Sequence, residues 1–155
     1  MMQKVVFVGA GPGDPELITV KGRKALDSAD VVIYAGSLVN PALLDGIKAE
    51  IHDSAKMDLD EIISVMRTAA ENGKSVVRLH TGDTSFYSAI TEQIERLRKL
   101  NIAYEVIPGV SSALAGAAIL GQELTVPEIS QTVIFTRIEG RTPVPASERL
   151  GLLAS

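Results

Sequence analysis

Three glycine-bearing segments of this chain carry residue types that could hold a polar small molecule. They are Gly9-Ala10-Gly11-Pro12-Gly13-Asp14-Pro15, His80-Thr81-Gly82-Asp83 and Pro108-Gly109-Val110-Ser111-Ser112. Each follows a short apolar run of strand character: Val5-Val6-Phe7-Val8, Val76-Val77-Arg78-Leu79 and Tyr104-Glu105-Val106-Ile107. In an open α/β sheet, ligands bind in the crevice beyond the carboxyl ends of the strands. The three loops therefore describe one binding site, provided their strands run parallel and side by side. Gly82 lets a backbone approach a ligand closely, and the Asp83 carboxylate accepts hydrogen bonds from hydroxyls or an ammonium. Neither role needs a phosphate. A ligand with a ribose, an α-amino group and a positive centre suits these residues. S-adenosylmethionine (SAM) has all three, and its sulfonium tolerates acidic surroundings that repel a nucleotide phosphate. Taken alone, Asp83 reads first as a helix N-cap.

Other chemistries fit the same residues less well. A dinucleotide fingerprint needs its third glycine at position 14, where this chain has Asp14. Pro12 also removes a backbone donor that a pyrophosphate would use. Gly73-Lys74-Ser75 copies the tail of a phosphate loop, but position 68 is Thr and the order is helix, turn, strand. Gly109-Val110-Ser111-Ser112-Ala113 resembles a nucleophile elbow, with His80 and Asp83 on a neighbouring strand end as triad partners. Position 113 is Ala where the elbow has Gly, and His80 and Asp83, only three positions apart on one loop, make the orienting geometry awkward. His52 and His80 are the only histidines and there is no cysteine. A transition-metal site is therefore disfavoured, and histidines that are hydrogen-bonded or solvent-facing are expected. Arg137 and Arg141, on a loop held by Gly140 and Pro143, could grip carboxylates bidentately. Taken alone, a solvated salt-bridged loop is the simpler reading.

The elements that must position these loops alternate between strand and helix. Val31-Val32-Ile33-Tyr34 is a second buried strand, followed by the exit loop Ala35-Gly36-Ser37. Residues 19–28 predict a helix with Ala25, Leu26 and Ala29 inward. A short helical turn is expected at 41–45 and a marginal strand at 50–52. Asp58-Leu59-Asp60-Glu61 has the form of a capping box. Leu59, Ile62, Ile63, Met66, Ala69 and Ala70 then share one helical face, and Asn72-Gly73 suits a left-handed stop. Residues 88–100 predict a helix with Ile90, Ile94 and Leu97 inward, and 112–120 a buried small-residue helix. A last strand is expected at 132–135 and a further helix from 145–148. The alternation predicts a doubly wound, mostly parallel five-stranded α/β sheet flanked by helices.

With 155 residues one domain is the starting expectation, and 46% apolar with 22% charged residues is ordinary for a globular chain. A net charge of −4 argues against a nucleic-acid footprint spread over the surface. No apolar run reaches the ~20 residues of a membrane span, so a cytoplasmic protein with no membrane or nucleic-acid partner is expected. Residues 145–155 open a helix with nothing to pack into, as in a piece of a longer chain.

Taken together, the segments are similar to the tetrapyrrole (corrin/porphyrin) methylases. Gly9-Ala10-Gly11-Pro12-Gly13-Asp14-Pro15 with Leu17-Ile18-Thr19-Val20-Lys21-Gly22 resembles the first signature. Arg78-Leu79-His80-Thr81-Gly82-Asp83 with Tyr87 resembles the second, and Pro108-Gly109-Val110-Ser111 the third. Three further stretches resemble the precorrin-4 C11-methyltransferase branch: Tyr34-Ala35-Gly36-Ser37-Leu38-Val39, Glu123-Leu124-Thr125-Val126-Pro127-Glu128 with Gln131-Thr132-Val133, and Thr136-Arg137-Ile138-Glu139-Gly140-Arg141-Thr142-Pro143. The resemblance implies methyl transfer from SAM to C11 of precorrin-4 or cobalt-precorrin-4 in cobalamin biosynthesis, by a homodimer with no metal of its own. It implies SAM contacts from Pro12, Thr81, Gly82, Asp83, Phe86, Ser111 and Ser112, with Tyr87 nearby. Arg137 and Arg141 are expected at the acetate and propionate carboxylates of the corrinoid. No catalytic residue is assigned. Ala35 stands where the uroporphyrinogen methylases carry Asp, which argues against that activity, and Thr84 replaces a proline common in the family. Family members have two domains with SAM between them. Residues 1–143 correspond to the N-terminal domain and 144–155 to the start of the connection to the other, so weak SAM binding and little turnover are expected of this piece alone. The rival readings are a diphthine synthase or ribosomal RNA ribose methylase of the same fold, and a non-catalytic SAM-binding or dimerising remnant. The RNA reading would require a basic face.

Overall fold

Val5, Phe7 and Val8 are wholly buried in β1 (Val5–Gly9), and β4 (Val76–His80) is buried along its whole length. Continuous apolar runs of this kind are what a strand covered on both faces requires. With β2 (Val31–Tyr34), β3 (Glu50–Asp53) and β5 (Tyr104–Ile107) they form one sheet in the order β3-β2-β4-β1-β5. Every neighbouring pair is parallel. The computed structural model describes residues 3–140 and 143–154. It divides into two compact units, Met1–Gly116 and Ala117–Ser155, each taken here by itself.

In the first unit the sheet separates two apolar layers. Phe7, Ile33 and Val76 pack with Ile62, Ile63 and Met66 of α2 (Leu59–Glu71) and Leu97 of α3 (Ile90–Lys99). Val6, Val8, Val32, Val77 and Leu79 pack on the other face with Leu26 of α1 (Val20–Asp27), Val39 and Leu43. The helix starts follow from side-chain caps. The Thr19 hydroxyl accepts from Gly22 N at 3.0 Å. Glu61 N donates to Asp58 Oδ1 at 2.8 Å while Asp58 N donates to Glu61 Oε2 at 2.9 Å, closing the expected capping box. A cap of this kind is worth about 1 kcal/mol. Gly73, at φ 72°, takes the left-handed stop after Asn72.

Three expectations need correction. α3 begins at Ile90 rather than 88, because Tyr87 and Ala89 adopt φ of 56° and 50°, values no helix accommodates. α4 (Ser112–Ile119) is not a buried helix: only Ala115 is buried, while Leu114 and Ile119 are exposed. Its apolar residues surround the helix, a pattern that suits burial on all sides, yet among the described residues only the Ala115 side is covered. No strand forms at 132–135. A β-branched run becomes a strand only where a neighbouring backbone completes its ladder. In the second unit the one bridge among the described residues pairs Val126 with Ser130 across a tight turn. That unit otherwise holds a 3-10 turn at Ala146–Glu148 and α5 (Leu150–Leu153). Among the described residues no helix is long and apolar enough to cross a membrane.

Candidate functional site

Parallel pairing places the carboxyl ends of all five strands along one rim, in the order Asp53, Tyr34, His80, Gly9, Ile107. The loops beginning at Ala10, Thr81 and Pro108 leave adjacent strands, as a shared site demands. They also touch. Gly11 and Gly82 exchange backbone hydrogen bonds, Gly82 N to Gly11 O at 2.7 Å and Gly11 N to Gly82 O at 3.2 Å. A Cβ built on Gly9 would lie 2.5 Å from Gly109 N and 2.7 Å from Gly82 O. One built on Gly109 would strike the Gly82 carbonyl oxygen. Three main chains meet here with no room for a methyl group.

Asp83 locks that junction. Its Oδ1 accepts from Ser85 N and its Oδ2 from Gly109 N, both at 2.8 Å. It caps its own turn and ties the β4 loop to the β5 loop, rather than capping α3. Burial works to raise its pKa, but the N–H groups of Ser85 and Gly109 outweigh that and hold the carboxyl below its ordinary value. Gly82, at φ 60°, turns its open side outward, where a Cβ would meet only Ser112 N at 4.0 Å. Thr81 and Ser111 are half-buried beside it, and Ser112 opens α4. Phe86 and Tyr87 are exposed with ring centroids 6.4 Å apart, on a loop whose two left-handed non-glycine residues store strain. Pro12 stands at the tip of the β1 loop, which Asn40 Nδ2 holds through Gly13 O at 2.7 Å. The structure thus brings Pro12, Thr81, Gly82, Asp83, Phe86, Tyr87, Ser111 and Ser112 to the loops of one rim. Arg137 belongs to the second unit, where its Nη2 donates to Pro143 O at 3.3 Å. Arg141 lies outside the described residues.

The β3–β2 side of the rim is built differently, and sequence reasoning missed it. Asp53 is the last residue of β3, paired with Tyr34. Its Oδ1 accepts from Gly36 N and from Ala55 N, each at 2.9 Å. A Cβ on Gly36 would collide with this carboxylate. Ser54 Oγ donates to Tyr34 O at 2.9 Å and accepts from Arg78 Nη1 at 3.0 Å. Arg78, buried in the middle of β4, also donates to Ile33 O and to Gln93 Oε1, each at 3.3 Å. Burial draws its pKa down to about 10, so it remains a cation at neutral pH. The usable signal was a carboxylate at the end of a strand. It is lost once that strand is taken to stop at 52.

The hydrolase reading does not assemble. His80 is buried and stacks on Phe7 at 6.1 Å between centroids, and its Nε2 has no hydrogen-bond partner among the described residues. Burial, aided by the Arg78 charge, draws its pKa down to about 3, leaving a neutral imidazole. His80 Nε2 is thus neither hydrogen-bonded nor solvent-facing among the described residues, against expectation, whereas His52, 3.0 Å from Glu50 Oε1, behaves as expected. Ser111 Oγ accepts from Ala113 N at 3.3 Å, and both Asp83 oxygens are engaged elsewhere. Among the described residues no cluster of His, Asp or Glu could hold a metal ion.

Known proteins share this architecture. The chain is 63% identical over 98% of its length to the cobalt-precorrin-4 C(11)-methyltransferase of Methanocaldococcus jannaschii. It is 52% identical over 97% of its length to the precorrin-4 C(11)-methyltransferase of Pseudomonas aeruginosa. It spans 60% of the length of each. The X-ray structure of a cobalt precorrin-4 methyltransferase, described as a cobalamin biosynthetic enzyme, superposes with a TM-score of 0.94 at 51% identity. That match covers 97% of this chain and 64% of the other. A uroporphyrin-III C-methyl transferase from Thermus thermophilus, crystallised with S-adenosyl homocysteine, matches at TM-score 0.70 and 34% identity, over 83% of this chain and 53% of that one. Residues 4–154 match the family of the Tetrapyrrole (Corrin/Porphyrin) Methylases, to which this chain belongs.

Proposed function

We propose that the β4–β1–β5 side of the rim binds SAM, and that the chain is the cofactor-holding part of a methyltransferase acting on C11 of precorrin-4 or cobalt-precorrin-4 in cobalamin biosynthesis. The observation that carries this is the glycine junction, which sets three loops around one open face. The residues fit such a ligand. Gly82 presents an uncovered backbone, and Ser111 and the spare lone pairs of Asp83 offer partners for hydroxyl and ammonium groups. Phe86 and Tyr87 offer exposed aromatic faces, and Pro12 and Thr81 border the opening. No basic cradle for a phosphate is built into these loops, and the ionised Asp83 would repel one. The relatives support the substrate, and the S-adenosyl homocysteine complex of the Thermus relative supports the cofactor. A diphthine synthase at 22% identity shares the fold alone.

When bound, SAM supplies a methyl group on a positively charged sulfur. The chain's own task is to position: the junction fixes the peptide groups around the ligand, and alignment of the two reactants accounts for most of the rate. Arg137 and Arg141 are suited to the carboxylates at the margin of the corrinoid, and the working enzyme pairs as a homodimer. Calorimetry with S-adenosylhomocysteine tests the reading. The intact protein should bind it, and Asp83→Ala should weaken binding at least several-fold by freeing the β5 loop. Absence of binding by the unaltered protein would end the proposal.

A further inference from the structure

We infer that Asp53 is the carboxylate that faces the corrinoid and takes up the proton released on methylation, and that Gly36 is there to admit it. This rests on the reading above. A ring carbon that accepts a methyl group forms the new C–C bond with its own π electrons, while the C–S pair stays on sulfur. The macrocycle is left one positive charge richer. It discharges that charge by losing a proton, from a ring N–H of precorrin-4 or, where cobalt holds the nitrogens, from a C–H next to the cationic π system, and the bonding pair of that N–H or C–H returns to the π system. A carboxylate on the rim is chemically suited to receive that proton.

Three carboxylates lie at or just beyond the carboxyl ends of the strands in the first unit: Asp14, Asp53 and Asp83. Asp83 has both oxygens bound to backbone N–H groups inside the junction. Asp14 stands beyond the tip of the β1 loop and caps the turn Pro15–Leu17 through Glu16 N at 2.9 Å. Asp53 alone combines a fixed position with an open atom. Its Oδ1 holds both Gly36 N and Ala55 N, which leaves Oδ2, the atom a Gly36 Cβ would meet first, without a hydrogen-bond partner among the described residues, in an exposed residue. Two backbone donors on one oxygen orient the group, and the adjacent Ser54 is clamped by Arg78 and Tyr34. β2 lies next to β4, so the Gly36 loop leaves one strand spacing, about 4.8 Å, from the strand that carries the Asp83 loop. The N–H groups of Ala55 and Gly36 keep the carboxyl below its ordinary pKa, hence ionised at neutral pH. An N–H in, or a C–H beside, a cationic π system is acidic enough to pass its proton to such a carboxylate.

The inference assigns a role to two residues that the SAM half does not use. It also explains why a loop with open space elsewhere has glycine at position 36, where any Cβ would displace the carboxylate. The test uses Asp53→Asn and Gly36→Ala in the intact protein. The first keeps the acceptor for Gly36 and Ala55 but cannot take a proton; the second keeps the carboxylate and moves it. In both, S-adenosylhomocysteine affinity should stay within two-fold of the unaltered protein. Turnover should fall roughly 100-fold or more in Asp53→Asn, the usual cost of losing a general base. Corrinoid affinity, read from its visible absorbance with S-adenosylhomocysteine present, should weaken several-fold in both variants. Turnover within three-fold of normal in Asp53→Asn, or a parallel loss of S-adenosylhomocysteine binding, would overturn the role of Asp53 and leave the SAM site standing. Failure of the unaltered protein to bind S-adenosylhomocysteine would remove both.

Discussion

Along one rim the fold uses glycine in two ways. On the β4–β1–β5 side, Gly9 and Gly109 are needed because backbone meets backbone, and a Cβ on Gly109 would strike the Gly82 carbonyl. On the β3–β2 side, Gly36 is needed because a side chain, the Asp53 carboxylate, lies where its Cβ would be. Both sides carry an aspartate bonded to backbone N–H groups of its own turn and of a neighbouring loop. Asp83 gives up both oxygens to that task, whereas Asp53 gives up one. The first arrangement makes a rigid frame for a ligand, and the second leaves a charged atom free to react. The difference suits a division in which one half of the rim holds the methyl donor and the other attends to the acceptor.

The largest effect expected from this contrast comes from Gly109→Ala. The methyl group has no flexible side chain to push aside, so β1, β4 and β5 loops must separate. Overpacking of this kind costs about 1–3 kcal/mol and more against backbone. Urea unfolding should show a loss at the upper end of that range, and S-adenosylhomocysteine binding should disappear. Gly36→Ala should leave the urea midpoint close to that of the unaltered protein, because an exposed carboxylate can swing into solvent. Equal losses in the two variants would show that the halves do not differ in rigidity.

Much of this could be read from residue order. The parallel sheet followed from Val5-Val6-Phe7-Val8, Val31-Val32-Ile33-Tyr34 and Val76-Val77-Arg78-Leu79, since continuous apolar runs separated by helical periods admit few other folds. The capping box at Asp58 and Glu61 formed as its spacing requires. The meeting of Gly9, Gly82 and Gly109 was legible as a shared rim, but not as a steric lock, because that depends on strand order and β1 lies between β4 and β5. Asp53 was not legible: four polar and apolar residues at an edge give little strand signal, and its partner Gly36 is 17 positions away. Residues 132–135 show the opposite failure, a strong local preference with no ladder to satisfy it.

An intermediate effect concerns β4, the strand of the first half that borders the second. β4 carries Arg78 and His80, both buried, and His80 is held neutral with a pKa drawn down to about 3 against an ordinary 6.5. The unfolded chain binds this proton at pH 6.5 while the native state resists until about 3. Stability is therefore unaffected above pH 6.5 and falls as pH drops below it, by about 1.4 kcal/mol per unit. His80→Leu should remove that part of the slope between pH 6.5 and 4.5 when urea midpoints are plotted against pH. The shift in Asp83 acts with the same sign but below the carboxylate range, so the two separate. An unchanged slope would mean that His80 is charged in the native state and that β4 is less sealed than its burial indicates.

The smallest expected effect asks whether β5 is held at the rim or at its other end. Glu105 binds both Lys4 and Lys21, and these two partners, more than their charge at a distance, draw its pKa down to about 2. The contribution is present above pH 4.5 and is lost as pH falls from there toward 2. All three groups are solvent-accessible, so salt screens the attraction and ordering the long side chains offsets it. Glu105→Gln should lower the urea midpoint only slightly, and the difference should vanish in about 1 M salt, where the screening length is near 3 Å. S-adenosylhomocysteine affinity is the informative reading. If the glycine junction alone fixes β5, affinity stays as it was. A loss would show that the Lys4–Glu105–Lys21 pin helps set the rim from the far end of the strand, and the junction would then be a contact that β5 reaches already in place.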